Sequence, residues 1–444
     1  MNGDSNHCAI TVAAESGRSW SYRIQSRFWE TPTLLKPSAG TYSCYIFRVP
    51  KSRVDSNDNA YKPRIVSIGP YHHGQERLKL IEQHKPRVFS TMLNRSIGRV
   101  GPIDYFNAIA SWETDIRESY SETLDWKTSD LIEMMILDAC FIVELFHANR
   151  RVTPSDDDNP LFYTPRIVSS LMVDLLMIEN QIPFFVLQEI YTLSKSPSDA
   201  DCSLHDIALE FFNSALRLPE KDLQRYNRVP NITHLLDLFR LCLVGEFKPE
   251  EPPRVDKELL QLMPSTNQLL LEGIKFKQAN SKNLKDIKFD HGVLQIPSLT
   301  IDHFTGSFLL NCVAYEQGYR YCSSHISSYV ILMRCLMSTA EDVAVLSQCR
   351  IITNFLGTDK EVVRFFRDVA KDILFNIKSS YLAEIFGQVT HYRRNKWRLR
   401  WAGIKREYFG SPWTFISAAA GFTLLVLTII QAFFTVYPYY RPKK

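Results

Sequence analysis

From Thr414 to Val436 no residue carries a charge, and the stretch holds Phe415, Ile416, Phe422, Leu424, Leu425, Val426, Leu427, Ile429, Ile430, Phe433, Phe434 and Val436. As a helix it would extend roughly 34 Å, somewhat more than a hydrocarbon core of about 30 Å. Trp413 stands at one end and Tyr437, Tyr439 and Tyr440 at the other, the places where amphipathic rings favour lipid headgroups. The pattern predicts a C-terminal transmembrane helix over 413–437 followed by a short basic tail, 438–444.

Arg393, Arg394, Lys396, Arg398, Arg400, Lys405 and Arg406 precede the stretch, and Arg441, Lys443 and Lys444 follow it. The excess on the first side predicts a single-pass protein of the plasma membrane or an endomembrane, with its N-terminal domain in the cytosol. Arg393, Arg394, Lys396, Arg398, Arg400 and Trp413 are then expected at the membrane interface, with membrane lipid as a partner. Asp4 and Glu15 interrupt a polar start, so no secretory signal is read and the span is expected to insert as a tail anchor. Next to a span, the basic run is a membrane feature and not a nucleic-acid patch.

The 444 residues, 45% hydrophobic with a net charge of +4, suffice for a real core. Residues 1–40 mix polar residues with Gly, Ser and Pro and read as a loosely ordered arm; 41–409 reads as one helical domain. Polar interruptions at Thr153–Pro160, Ser194–Ser203 and Glu246–Lys257 fit surface loops. Cys8, Cys44, Cys140, Cys202, Cys242, Cys312, Cys322, Cys335 and Cys349 form no C-x-x-C pair and read as free thiols, with Cys140 and Cys312 as small core residues. The sequons at Asn94 and Asn231 would be glycosylated only outside the cytosol.

Leu204, Ile207, Ala208, Phe211, Phe212, Ala215 and Leu216 repeat at helical spacing behind a capping pair, Ser203 and Asp206. Thr358 and Glu361 open a second such stripe, through Val362, Phe366 and Val369. Leu131–Phe146 is apolar nearly all round and predicts a central core helix. Ile274 with Phe276, Ile287 with Phe289, and Leu294 with Ile296 alternate with polar residues around the turn Asp290-His291-Gly292, which predicts a small antiparallel β element. The fold class is therefore mainly α: a multi-helix domain, that small sheet, and the C-terminal span.

Between Ile167 and Leu187, Asp174, Glu179, Asn180 and Gln181 lie among apolar residues, and Pro183 should break or restart the helix. Polar side chains at such a break cap exposed backbone groups, or bind something polar in a crevice. No G-x-S-x-G, phosphate loop, G-x-G-x-x-G or H-E-x-x-H pattern occurs. The nearest thing to a reaction site is Tyr71-His72-His73-Gly74 with Glu82 and His84, where imidazoles and a carboxylate could move protons. Adjacent histidines point in different directions, so a turn set by Pro70 and Gly74 accounts for the same residues. No catalytic residue, cofactor or metal ligand is assigned. Ser417 and Gly421 could let two copies of the last helix approach, giving a homo-oligomer.

Several strings together carry a resemblance: Ile46–Pro50, Ala60–Pro63, Val66-Ser67-Ile68-Gly69-Pro70-Tyr71-His72-His73-Gly74, and Glu82-Gln83-His84-Lys85. Met135–Ile142, Asp174–Phe185, Gly273–Phe276, Ile296–Leu299, Ala314–Gln317 and Tyr408-Phe409 before Pro412-Trp413 continue it. Over roughly 44–436 the chain resembles the plant family called domain of unknown function 247. Ala139 and Arg350 stand where that family usually has Gly, and Arg334 where an acidic residue is expected. The resemblance implies a helical domain with a C-terminal membrane helix and no established activity; some grass members look like determinants of pollen self-incompatibility. The expectation is a membrane-anchored recognition or signalling module for an unknown protein partner. The alternative is a membrane-tethered enzyme using Tyr71–His84.

Overall fold

The computed structural model describes residues 20–25, 35–55, 58–95, 99–151, 159–195, 202–216, 231–245, 260–394 and 412–440. Most of the expected arm, most of each of the three polar loops, Cys8, Ser96 of the first sequon and Lys396, Arg398 and Arg400 lie outside the described residues.

The first half is built round one long helix. In chain order come α1 (Lys85–Arg95), α2 (Pro102–Ala110), α3 (Thr128–Arg150), α4 (Pro165–Asp174), α5 (Phe184–Ser194) and α6 (Leu204–Leu216). Helix α3 is buried on nearly every side over Leu131–Phe146, with α1, α2, α5 and α6 packed round it. Its near-uniform hydrophobicity thus has the central role the sequence predicts. Ser203 and Asp206 reciprocally cap α6: the Ser203 amide donates to the Asp206 carboxylate at 2.9 Å and the Asp206 amide to Ser203 Oγ at 3.2 Å. Pro183 stands immediately before α5, so the helix restarts where expected.

The second half begins with α7 (Leu235–Val244) and α8 (Thr266–Leu271), then β1 (Lys275–Gln278), β2 (Lys288–Asp290), β3 (Val293–Ile296) and β4 (Leu299–Ile301). Next come α9 (His303–Gly318), α10 (His325–Leu336), α11 (Ala340–Gln348), β5 (Ile352–Asn354), α12 (Asp359–Val369), α13 (Ala383–Arg394) and the C-terminal α14 (Pro412–Tyr440). Helix α9 touches α7, α10, α12 and, from the first half, α4. Buried apolar residues from Tyr45 to Val389 form one connected core. Cys140 and Cys312 are fully buried within it. The Thr358–Glu361 capping box opens α12, the Thr358 amide donating to Glu361 Oε2 at 2.7 Å.

Two expectations need correction. The β element is not simply antiparallel. β2 and β3 do form a hairpin through His291 (φ 47°) and Gly292 (φ 81°), both left-handed as a tight two-residue turn requires. β1, however, runs parallel to β3 on its other side, because residues 279–287 carry the chain across before the hairpin starts. A second, two-stranded parallel sheet pairs β4 with β5.

The second correction concerns the membrane. Among the described residues no helix is long and apolar enough to cross a membrane, which overturns the expected transmembrane helix and the single-pass location built on it. Helix α14 runs from Pro412 to Tyr440 and carries a run of exposed apolar residues from Phe422 to Phe434. Thr423, Thr428 and Gln431 interrupt that run, the two hydroxyls bonding back to the carbonyls of Ala419 and Leu424 at 2.8 Å. Of the expected interface residues, Arg393 makes a two-pronged ion pair with Glu272. Trp413's side chain lies outside the described residues.

Candidate functional site

The residues singled out in the sequence meet at one place, where an irregular strap of chain, Cys44 to Gly69, crosses the body. Among its described residues the strap contains two single-turn helices, Lys51–Val54 and Asp58–Tyr61, so most of those residues' backbone groups lack regular partners. Buried amides must nonetheless be paired. Tyr45 and Ile46 both donate to the Ser119 carbonyl, at 3.1 and 2.9 Å. Beyond them, side chains take over. Glu179 Oε1 accepts the Val49 amide at 2.7 Å. Asp174 Oδ2 accepts those of Arg64, Ile65 and Val66 at 2.9, 2.8 and 3.1 Å. Asn180 Oδ1 accepts Ile68, and Asp138 Oδ2 accepts Gly69, each at 2.7 Å.

Burial pushes the Asp174 carboxyl above its usual range, and the three amides pull against that. Gly69 (φ 74°) is required here: a Cβ would lie 2.6 Å from the Gln181 carbonyl oxygen.

These acceptors are available because α4 stops at Asp174 and the chain cannot be helical again until after Pro183. Gln181 Nε2 donates to the carbonyls of Leu175 and Met177 at 2.7 and 2.9 Å, while its Oε1 accepts the Leu236 amide at 3.3 Å. Asn180 Nδ2 donates to the carbonyls of Val66 and Asp174 at 3.2 and 2.9 Å. The amide side chains therefore do the work of a helix cap in two directions, closing the break and holding the strap.

Tyr71–Gly74 is a turn ending at Gly74 (φ 78°). Its histidines go separate ways. His72 is buried, with Nε2 3.3 Å from Glu179 Oε2 and Nδ1 2.9 Å from Gln75 Nε2. His73 reaches Glu82 at 3.7 Å and sets its ring edge-on to Trp126. His84 Nδ1 lies 3.3 Å from Asn159 Nδ2. Tyr71 points inward, its hydroxyl 3.3 Å from both the Ile46 carbonyl and Ser121 Oγ, and burial raises its phenol well above the ordinary value.

Beneath the turn, Lys85 Nζ donates to Asp138 Oδ1 and the Ser67 carbonyl at 2.5 Å each, and to Glu82. Burial raises the Glu82 carboxyl despite that ammonium. Among the described residues no group of three or more His, Cys, Asp or Glu is arranged to hold a metal. Chemically, the carboxylates and amides at this junction spend their hydrogen-bonding capacity on the chain's own backbone, on Lys85 and on the neighbouring imidazoles. The three imidazoles take three different partners.

A second cluster was not legible in the motifs. Arg240, buried on α7, donates to Asp237 Oδ1 through Nε at 3.2 Å and Nη2 at 2.9 Å, and through Nη1 to Ser323 Oγ at 3.0 Å and Glu316 Oε1 at 3.4 Å. Glu316 in turn accepts the amides of Ile326 and Ser327 at 3.0 and 2.7 Å. Burial works against the Arg240 charge, and Asp237 and Glu316 more than offset it. A lone arginine within Leu235–Val244 was the available signal.

From that arginine a column of rings runs outward. The Arg240 guanidinium lies 5.7 Å from the Tyr315 ring centre. Tyr315 stacks on Tyr319 at 5.5 Å, Tyr319 meets Tyr321 at 5.6 Å, and Tyr321 meets Tyr42 edge to face at 5.5 Å. Tyr42 and Tyr321 are 59% and 45% exposed. His234, fully buried beside Tyr315 at 4.7 Å, caps α7 through Nδ1, and burial depresses its imidazole to about 4.

A helical body clasped by a strap through side-chain acceptors is the class of molecule this geometry defines. Residues 46–427 match the family described as plant protein of unknown function, domain of unknown function 247, and the chain belongs to it. It is 39% identical over 437 residues to the UPF0481 protein At3g47200 of Arabidopsis thaliana, covering 93% of this chain and 90% of that protein. It is 22% identical over 495 residues to the putative UPF0481 protein At3g02645 of the same plant, covering 88% of this chain and 90% of that one. No solved structure matches.

Proposed function

We propose that this chain works as a recognition module that binds another protein through the aromatic surface formed by Tyr42, Tyr321 and Arg320. The observation that carries the reading is the pairing of two well-exposed tyrosines, edge to face, with the Arg320 guanidinium 5.4 Å from the Tyr321 ring centre. Tyrosine supplies contact area and a hydrogen bond at little entropic cost, and tyrosine and arginine are both enriched among the residues that dominate the binding energy of protein interfaces. The patch is also rigid: the Tyr319 hydroxyl donates to the Tyr42 carbonyl at 2.9 Å, and Tyr319 rests on the buried column below. Recognition between cells, the role the family resemblance implies for some grass members, is a setting that suits such a surface.

An enzyme at Tyr71–His84 would need its imidazoles and Glu82 to face one shared pocket, and their separate partners favour the surface reading instead.

The test is quantitative affinity capture from plant tissue with the wild-type chain, the Tyr42→Ser/Tyr321→Ser double variant and Leu374→Ser, which alters an exposed apolar residue elsewhere. Proteins enriched on wild type and on Leu374→Ser should be lost from the double variant while its thermal midpoint is unchanged. Retention of the same proteins by the double variant would rule the surface out.

A further inference from the structure

Where α6, α7, β4 and the start of α9 come together, a cavity of about 40 Å³ is lined by Lys282, Ser298, Thr300 and Thr305 and by leucines including Leu243 and Leu284. A single water needs roughly 10–15 Å³ on the same measure, so the space accepts a group of a few heavy atoms. Lys282 Nζ donates to Ser298 Oγ at 2.8 Å, and among the described residues no carboxylate pairs with it. Its side chain is half-buried. An ammonium has three N–H donors, and the bond to one neutral hydroxyl leaves two of them open. An anion in the cavity would take them in charge-assisted bonds.

We propose that this cavity binds a small oxyanion, a carboxylate or a phosphate group, through the Lys282 ammonium. Ser298, Thr300 and Thr305, which line the same cavity, carry hydroxyls that can supply further donors. Leu243 and Leu284 form an apolar wall that can take a short hydrocarbon stem attached to the anion. The N-terminus of α9 is not the binding element, because Asp302 already accepts the Thr305 amide at 2.8 Å. Leu284 is itself fixed, its amide donating to the Leu243 carbonyl at 2.7 Å and its carbonyl accepting the Tyr381 hydroxyl at 2.9 Å, so the wall is rigid. The site is remote in sequence from the tyrosines of the aromatic surface, and its occupancy does not depend on that surface being used.

Titration calorimetry of the full chain at low ionic strength, with inorganic phosphate and separately with acetate, tests the proposal. Saturable one-site binding of one of the two is expected, and the probe that binds distinguishes the two anion classes. Affinity should fall at least about tenfold in Lys282→Met and should stay unchanged in Lys360→Gln, which alters an exposed lysine of α12. In the wild-type chain the bound anion should also slow reductive methylation of Lys282 relative to Lys360, a readout that needs no variant to fold. Identical isotherms for wild type and Lys282→Met, or no saturable binding of either anion, would overturn the proposal.

Discussion

Asn180 accepts the Ile68 amide at 2.7 Å across 112 positions of sequence and donates back to the Val66 carbonyl at 3.2 Å, so one side chain holds two points of the strap. Replacing it by alanine strands the buried Ile68 amide and Val66 carbonyl at once, and leaves the Asp174 carbonyl with the Met177 amide alone. Asn180→Ala should lower unfolding free energy by about 2–4 kcal/mol, read from urea denaturation. Asn180→Asp, which keeps the acceptor and loses the donor, should also destabilise.

Lys85 and Asp138 form a buried pair in which each also serves the strap, through the Ser67 carbonyl and the Gly69 amide. Lys85→Met leaves Asp138 charged and buried, at a cost of about 3–5 kcal/mol. Removing both charges, in Lys85→Met/Asp138→Asn, should cost less than the sum of the single changes. Additive losses in a double-mutant cycle would contradict the coupling.

The helix ends illustrate what the sequence makes legible. Gly273 (φ 86°) terminates α8 with the Ile274 amide donating to the Leu269 carbonyl at 3.0 Å; Arg350 (φ 58°) terminates α11 in the same way, Ile351 donating to Leu346 at 2.9 Å. The resemblance expects Gly at position 350, and the left-handed backbone is the physical reason. Arg350→Gly should therefore raise stability by about 0.5–1 kcal/mol, seen as a higher thermal midpoint.

Local signals of this kind were readable because they act within one turn of helix: Ser203 with Asp206, Thr358 with Glu361, Pro183 before α5. The polar residues at the 174–181 break were recognisable as caps for backbone, but not as caps for a strap 110 residues away, because no period or spacing records which distant amide an acceptor will meet. The parallel pairings of β1 with β3 and β4 with β5 were hidden for a similar reason. Strands of three or four residues carry almost no period, and what lies against them in the fold, α9 on β4, α11 on β5 and α13 on β2, is not written in their own residues. Charge neutrality over 414–436 suggested a membrane span, which the described residues of α14 do not supply.

His234 makes stability depend on pH. Its imidazole titrates near 6.5 unfolded and is depressed by burial to about 4 in the fold, so the unfolded chain binds more protons between those values. The contribution is fully present above about pH 6.5 and is lost as pH falls towards 4, amounting to about 3 kcal/mol. His234→Asn keeps an acceptor for the Asp237 amide and removes the titration. Denaturation from pH 4.5 to 7 should show a flatter acid limb for the variant; Asp174, Glu82 and Glu316, raised by burial, slope the opposite way in both chains.

The strap's amides at Arg64, Ile65, Val66, Ile68 and Gly69 are held by Asp174, Asn180 and Asp138, which leaves those side chains committed to the fold. Hydrogen exchange of these amides measures that directly. Exchange as slow as in α3, accelerated over the whole segment by Asn180→Ala, is the predicted result. Exchange at the rate of an open loop in the wild-type chain would contradict the clasp and return these residues to the list of groups free to bind a ligand.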